Sequence, residues 1–457
     1  MAEWSKAPDS KSGLGQPNGG SNPSLSAKLM LRPADASLRS SHGSIALKSL
    51  LAAALTIAAI WHAPGAYASA APDLPAMMRL TADRWVASQA GGFLPYGFDF
   101  LADRALEPDR MSAANLIRQT LSAFALASYF DYSRDARLRD PIRRTLSALG
   151  DRSLPIGKGD LQRVMESTRI FSFPVARWKL QSALERMGLL YQPSGDGKVV
   201  SPDGNYGGAA AGAVGLALLT ELTYSRASGD DTFAGLRAAW LNGLLSLRIP
   251  GGGFRQDPGS IDDSDYDNGE AWLALAVYAD LHPDDVRTAN VLSEVDAALM
   301  RRYLENPSVY FLGWGGMAAA QRYRTTHHPK FLSYLRRQGD NFVDRFQGRI
   351  SRDDNNCAVM EGVAATLAAL KTSGESDTPG VREMRDWLSD EIVKLPQLQI
   401  KAGQQGMALG GEAYLRAPRM AEYGGGFLLG AYDPRTRVDA AGHCLSAMVT
   451  IERDQLR

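Results

Sequence analysis

From Ala271 to Ala279 the chain reads AWLALAVYA, apolar on every face of the helix it predicts. Such a helix has no side to turn toward water and must be enclosed by other elements. Just before it, Gly251 to Glu270 supply a glycine-rich turn carrying Phe254, then Asp262, Asp263, Asp265, Asp267 and Glu270. Versions of this unit recur. Apolar, small-residue helices are predicted to begin near Thr120, Gly208, Glu270, Gly316, Glu361 and His443. Between them lie segments with one apolar face, at 74–89, 134–149, 231–247, 284–303, 329–345 and 381–395. Segment 160–190 predicts two more helices, interrupted near Pro174. Enclosed and one-sided helices alternating about every 45 residues suit a ring of helical hairpins, with the enclosed helices inside. The expected fold is all-α, an (α/α)6-like toroid. All inner helices then start at one end, which collects the positive ends of the helix dipoles and the long loops.

Charge narrows the partners. Lys+Arg and Asp+Glu each number 50 in 457 residues. Nucleic acids and anionic membranes require a basic surface, so neither is expected. Cys357 and Cys444 are the only cysteines, and they form no CxxC pair. A cysteine zinc site or redox motif is therefore not expected. Whether the two pair or stay as small buried thiols is open at this level.

The first 70 residues read as a processing region. Residues 1–27 are rich in Gly, Ser, Pro and Asn without apolar period, which predicts disorder. Gly20-Ser21-Asn22-Pro23 matches the translation of the T-arm of a tRNA gene, so residues 1–29 suggest a start codon set too early, with Met30 the better one. From there Arg32, Arg39 and Lys48 precede an apolar run, Leu50 to Trp61, too short for a comfortable membrane span. Ala66-Tyr67-Ala68 and Ala68-Ser69-Ala70 follow as small-residue cleavage sites. This order predicts a signal peptide over 30–70 and a mature domain over 71–457. No later stretch is long and apolar enough to predict a span. The expected location is the periplasm or the outside of the cell.

The loops at the predicted inner-helix starts share a composition. They pair glycine with aromatics, at Gly91-Gly92-Phe93-Leu94-Pro95-Tyr96, Asn205-Tyr206-Gly207-Gly208, Gly251-Gly252-Gly253-Phe254, Phe311-Leu312-Gly313-Trp314-Gly315 and Tyr423-Gly424-Gly425-Gly426-Phe427. Glycine permits tight turns and close approach, and exposed rings suit sugar faces. These paired helices, Gly-aromatic loops and acids at inner-helix starts resemble the six-hairpin glycosidase-like superfamily of (α/α) toroids. The run Tyr432 to Asp439 followed by His443-Cys444-Leu445-Ser446-Ala447 is similar to its closing hairpin. The resemblance spans most of the mature chain as a pattern and transfers no catalytic residue. It implies carbohydrate chemistry: glycoside hydrolysis, polysaccharide lysis or sugar epimerisation.

Hydrolysis of a glycosidic bond needs two carboxyl groups. Asp265, Asp267 and Glu270 form one candidate cluster, and crowding raises a carboxyl pKa as a general acid requires. Glu361 is the expected second partner. Asp439 and His443, four apart, share a helix face and are expected as a supporting base–orienter pair. Tyr96, Tyr206, Phe254, Asp265, Trp314, Tyr423 and Arg437 are the expected substrate-binding residues. The alternative role for each acid is capping a helix. Asp263-x-Asp265-x-Asp267 fails as an EF-hand loop, because Asn268 and Ala274 stand where Gly and Glu are needed. Asp262-Asp263-Ser264-Asp265 is in the wrong order for a terpene cyclase. His327-His328 has no further ligand at metal spacing. No metal or other cofactor is expected. The best reading is an exported glycoside hydrolase on an oligo- or polysaccharide. A uronate lyase or epimerase and a non-catalytic glycan-binding component of a polysaccharide export system are the alternatives.

Overall fold

The computed structural model describes residues 71–107, 111–158, 191–260, 262–374, 378–409 and 413–457. In chain order its long helices are α1 (Leu74–Ser88), α2 (Ala113–Ser133), α3 (Arg139–Asp151), α4 (Ala211–Ser228), α5 (Ala234–Ser246), α6 (Asp265–Leu281), α7 (Val286–Glu305), α8 (Val309–Thr326), α9 (Pro329–Asn341), α10 (Cys357–Thr372), α11 (Pro379–Leu398) and α12 (Val438–Arg453). The even-numbered helices form an inner ring, each packed on the next, with α12 closing onto α2. The odd-numbered helices lie outside: α1 against α12, α3 against α2 and α4, α5 against α4, α7 against α6, α9 against α8 and α10, α11 against α10. This is the all-α toroid that the alternation of enclosed and one-sided helices predicts.

Small residues set the ring's tightness. A Cβ on Gly215 of α4 would sit 3.2 Å from the Ala271 backbone of α6. One on Gly313 of α8 would meet the Ala358 carbonyl of α10 at 2.7 Å, and one on Gly362 the Leu312 carbonyl at 2.4 Å. Inner helices thus touch backbone to backbone, which only glycine permits. The ring's centre is filled. Phe124 of α2 and Trp314 of α8 come from helices opposite each other in the ring, and their ring centroids are 6.1 Å apart.

Several helix starts differ from expectation. Of the acidic run expected before α6, Asp262 and Asp263 lie in the loop, but Asp265 and Asp267 are in the helix's first turn. The Ser264 side chain accepts from the Asp267 backbone N–H at 3.1 Å, and Asp265 and Asp267 face the helix's positive end. Phe311 to Gly315, read as a loop, is likewise the first turns of α8, since Gly313 clears α10 and Gly315 clears the Phe311 ring. α10 and α12 start before Glu361 and His443, so both lie one turn inside their helices. α3 begins at Arg139, after a short 3-10 turn over Ala136–Leu138 capped by Asp135. The calls on 160–190 and on the leader, 1–70, lie outside the described residues.

Connections from inner to outer helices are short, at 134–138, 229–233, 282–285, 327–328 and 373–378. Most connections into inner helices are long, and those before α2, α4 and α12 carry small strands, which no periodicity announced. These are β1 (Gly97–Asp99), β2 (Arg104–Leu106), β3 (Ser153–Lys158), β4 (Tyr191–Val200), β5 (Gly406–Ala408), β6 (Tyr414–Arg416), β7 (Leu428–Gly430) and β8 (Asp433–Arg437). The order β2-β1-β8-β7 makes one antiparallel sheet, with Gly97 opposite Arg437, and β3-β4 and β5-β6 are two-stranded antiparallel sheets. β8 runs straight into α12, and the Val438 N–H donates to the Tyr96 carbonyl at 2.8 Å. Phe98, Phe100, Ile400, Met407, Met420 and Leu428 form a second small core under this sheet. The chain's two cysteines pair: Cys357 of α10 is bonded to Cys444 of α12. The alternative of two free thiols is thereby closed.

The disulfide joins positions 87 residues apart and so restricts the unfolded chain strongly. The Cys357→Ala/Cys444→Ala variant is expected to lose about 2–4 kcal/mol of stability. Urea denaturation under non-reducing conditions measures this; an unchanged midpoint would show that the bond adds nothing to the ring.

Candidate active site

Helical spacing places Asp267 and Glu270 on one face of α6. That face meets α4 at Gly212, where a Cβ would lie 1.8 Å from Glu270 Oε2 and 2.8 Å from Asp267 Oδ1. Gly212 therefore leaves the space that the two carboxyl groups occupy. The two oxygens are at most the sum of those distances apart, closer than the ~5 Å of a retaining carboxylate pair. Asp267 is fully engaged. Its Oδ1 accepts from the Gly212 N–H at 2.6 Å, and its Oδ2 accepts from the Ser264 hydroxyl. Burial pushes its pKa up to about 6 despite those bonds. Glu270 is only 3% exposed, and its Oε2 has no partner among the described residues. Burial, and next the charges of Asp267 and Glu361, hold its pKa well above the usual carboxylate range. Glu270 keeps its proton where an ordinary glutamate has lost it.

Glu361, from the second turn of α10, is 2% exposed. Its Oε2 lies 2.6 Å from His443 Nδ1 of α12, and its Oε1 has no partner among the described residues. Burial pulls the His443 pKa down, but the charge and hydrogen bond of Glu361 outweigh it, and the net shift is upward. One turn earlier on α12, Asp439 accepts two bonds from Arg437, at 2.6 and 2.9 Å. Arg118 of α2 adds an ion pair at 3.2 Å. Burial would raise the Asp439 pKa, but the two guanidinium groups override it and hold the carboxyl at about 2. Asp439 and His443 share a face as spacing predicts, yet each takes a partner from elsewhere. The partner within hydrogen-bond reach of His443 is Glu361.

The expected binding residues divide. Tyr96 is at the cluster: its hydroxyl bonds Arg118, whose guanidinium lies 5.4 Å from the ring centre. Arg437 is there, committed to Asp439. Trp314 is buried, 6.1 Å from the His443 ring, and serves as ring filling. Phe254 is wholly buried, its N–H donating to the Asn268 side chain. Asp265 links α6 to α7 and to the start of α8, accepting from Tyr303 at 2.7 Å and Ser308 at 2.6 Å. Tyr423 packs between Phe98, Phe100 and Arg84 in the second core. The Tyr206 hydroxyl donates to the Pro155 carbonyl at 2.5 Å. Phe254 and Trp314 thus present no face to a ligand: Trp314 lies inside α8, which begins at Val309, and Phe254 is buried in the loop before α6, bridged to Arg248.

Arg118, Gly212, Ser264, Tyr266 and Tyr310 escaped sequence reasoning. Arg118 had a usable signal, a cation inside the apolar run Leu116-Ile117…Leu121 of an enclosed helix. Gly212 had none, because its role depends on which helix lies opposite. Among the described residues, no three His, Cys, Asp or Glu side chains are grouped as metal ligands.

Compared by sequence, no protein-family model and no curated protein matches the chain. Compared by structure, it is similar to the GH76A α-1,6-mannanase of Salegentibacter sp. HEL1_6, with a TM-score of 0.51 and 9% identity over 84% of this chain and 100% of that one. An inactive variant of that mannanase, in complex with α-1,6-mannotetrose, aligns with the same TM-score of 0.51 and 9% identity over 84% and 100%. A sugar epimerase from a ruminal bacterium aligns at a TM-score of 0.51 and 11% identity, over 83% and 98%. At these identities the shared property is the fold, a toroid of helical hairpins.

Two titrations test this electrostatic picture. His443 is expected to titrate above 6.5 by NMR, and in Glu361→Gln to fall below it, because burial then dominates. An unshifted value in the variant would refute the pair. Asp267 has a raised folded pKa, so its stabilising contribution is complete below 3.8 and is lost as pH rises through about 6. The unfolding midpoint should fall across that window, and Asp267→Asn should flatten the fall.

Proposed function

We propose that this chain is an exported glycoside hydrolase acting on an oligo- or polysaccharide. Glu270 is the general acid, and Glu361, held by His443, is the general base. The observation that carries this reading is the contrast between carboxyl groups in one cluster. Glu270 is kept protonated by burial and by its acidic neighbours, while Asp439 is kept ionised by Arg437 and Arg118. A carboxyl kept protonated beside an ionised one marks the general acid, and Glu361 is assigned as the base on geometry, by its bond to His443 and its partnerless Oε1 among the described residues.

In the proposed reaction Glu270 gives its proton to the glycosidic oxygen as that bond to the anomeric carbon breaks. Water adds to the carbon, and Glu361 takes the proton that the water loses. Protonated His443 donates to Glu361 Oε2 and leaves Oε1, which has no partner among the described residues, to face the water. Asp267 positions Glu270, and Asp439 holds Arg437 and Arg118 in place. The helix N-termini at this end favour the carboxylates that the cycle leaves behind.

Export is supported by the Cys357–Cys444 disulfide, which persists in oxidising compartments. Among the described residues no helix is long and apolar enough to cross a membrane. The mannanase likeness makes α-1,6-linked mannooligosaccharides the first substrates to try. Lyase or epimerase chemistry on uronates is the second reading, favoured by Tyr96 and His443 near Arg118 and Arg437. A purely glycan-binding role is the third.

The test is a screen of neutral and uronic-acid polysaccharides for new reducing ends, for unsaturated products and for epimerised units. Hydrolysis of one substrate is expected, with Glu270→Gln and Glu361→Gln each lowering kcat about 10²–10⁴-fold. Unsaturated or epimerised products would move the assignment to the second reading. Full activity in Glu270→Gln would remove Glu270 from the chemistry.

A further inference from the structure

We propose that Tyr266 and Tyr310 form a two-ring ledge that holds a pyranose ring of the glycan beside the carboxyl cluster. This rests on the carbohydrate reading of the site. Tyr266 is the second residue of α6, one turn ahead of Glu270, and Tyr310 is the second residue of α8, the next inner helix. Their ring centroids are 5.2 Å apart, tilted by 44°. Tyr266 is 38% exposed, whereas Phe254 and Trp314 are enclosed and Tyr423 is packed in the second core. Among the described residues the Tyr266 hydroxyl has no hydrogen-bond partner.

The position is as informative as the exposure. Tyr266 lies within electrostatic reach of Glu270, Asp439 and Arg437. Glu270, and Glu361 within electrostatic reach of it, each carry a buried carboxyl oxygen, Oε2 and Oε1, without a partner among the described residues. Buried polar atoms need partners, and a ligand rich in hydroxyl groups supplies them. The tyrosine rings offer the complementary surface: flat, stiff faces with a weakly negative π-cloud, suited to the C–H face of a sugar ring. Each ring has few rotatable bonds, so little side-chain freedom is lost on binding. A ledge one turn above the acid places the bond to be broken within reach of Glu270.

The test is binding to an array of neutral and uronic-acid tetrasaccharides, in a Glu270→Gln background that prevents turnover. Tyr266→Ala and Tyr310→Ala are expected to weaken binding about tenfold or more, and Tyr266→Phe to stay within about twofold, because the ring and not the hydroxyl makes the contact. Thermal unfolding of each variant is expected to match the parent. Unchanged binding in the alanine variants, with lowered unfolding midpoints, would show that the pair merely plugs the ring's end. Loss of binding in Tyr266→Phe would transfer the role to the hydroxyl and overturn the ledge. If the parent retains no glycan at all, the carbohydrate reading itself falls, an outcome distinct from a failure confined to the tyrosines.

Discussion

Backbone contact between neighbouring inner helices is the constraint on which the rest of this structure depends. At Gly215, Gly313 and Gly362 a single added carbon would collide with the next helix or crowd its backbone. Removing side chains at these crossings lets six apolar helices close into a ring narrow enough for Phe124 and Trp314 to fill. A wider ring would need more side chains in its centre or would admit water. Once the ring is closed by alternating directions, the inner helix N-termini have to share one end. The carboxyl cluster is a consequence of that geometry, since residues from α2, α4, α6, α10 and α12 meet only there.

The same closeness creates unusual ionisation. Gly212 leaves a gap between α4 and α6, and Glu270 and Asp267 fill it with no water-facing side. Burying acids there would destabilise the fold if both were charged, and the raised pKa of each is the relief. Across the ring, Arg118 and Arg437 provide charge to Asp439, so an equally buried carboxyl shifts in the opposite direction. One end of the toroid therefore holds acids in different protonation states at the same pH. The disulfide lies within this region. Cys444 follows His443, and Cys357 precedes Glu361 by one helical turn, so the bond ties together the two helices that carry the His443–Glu361 pair.

Connection lengths follow the same logic. Links from inner to outer helices are tight, while most links into inner helices are long, and three of them form strands. The sheet containing β1 and β8 brings Tyr96 and Arg437 from distant parts of the chain to the start of α12. The strands of this sheet, three to five residues long, are too short to show alternation, which is why an all-helical reading of the sequence passed over them. Helix starts were misplaced for a related reason. Asp and Gly read as loop residues, yet Asp265 and Asp267 sit well in a first turn facing the helix dipole. Glycine in the first turns of α8 is retained because the neighbouring helix allows nothing larger.

The alternation of inner and outer helices and the toroid class were legible in the sequence by itself, because burial on all faces or on one face leaves a direct periodic record. The same record marked Asp267, Glu270, Glu361, Asp439 and His443 as polar groups on otherwise apolar helices. Which of them meet was decided by tertiary structure alone. The His443–Glu361 bond, the Arg118–Asp439 pair and the Gly212 gap each join residues from different helices. Their geometry depends on ring order and helix rotation, and neither leaves a trace in local spacing. The aromatic residues show the same division. Composition located them near the mouth, but only packing determined that Phe254 and Trp314 turn inward while Tyr266 remains partly open to solvent.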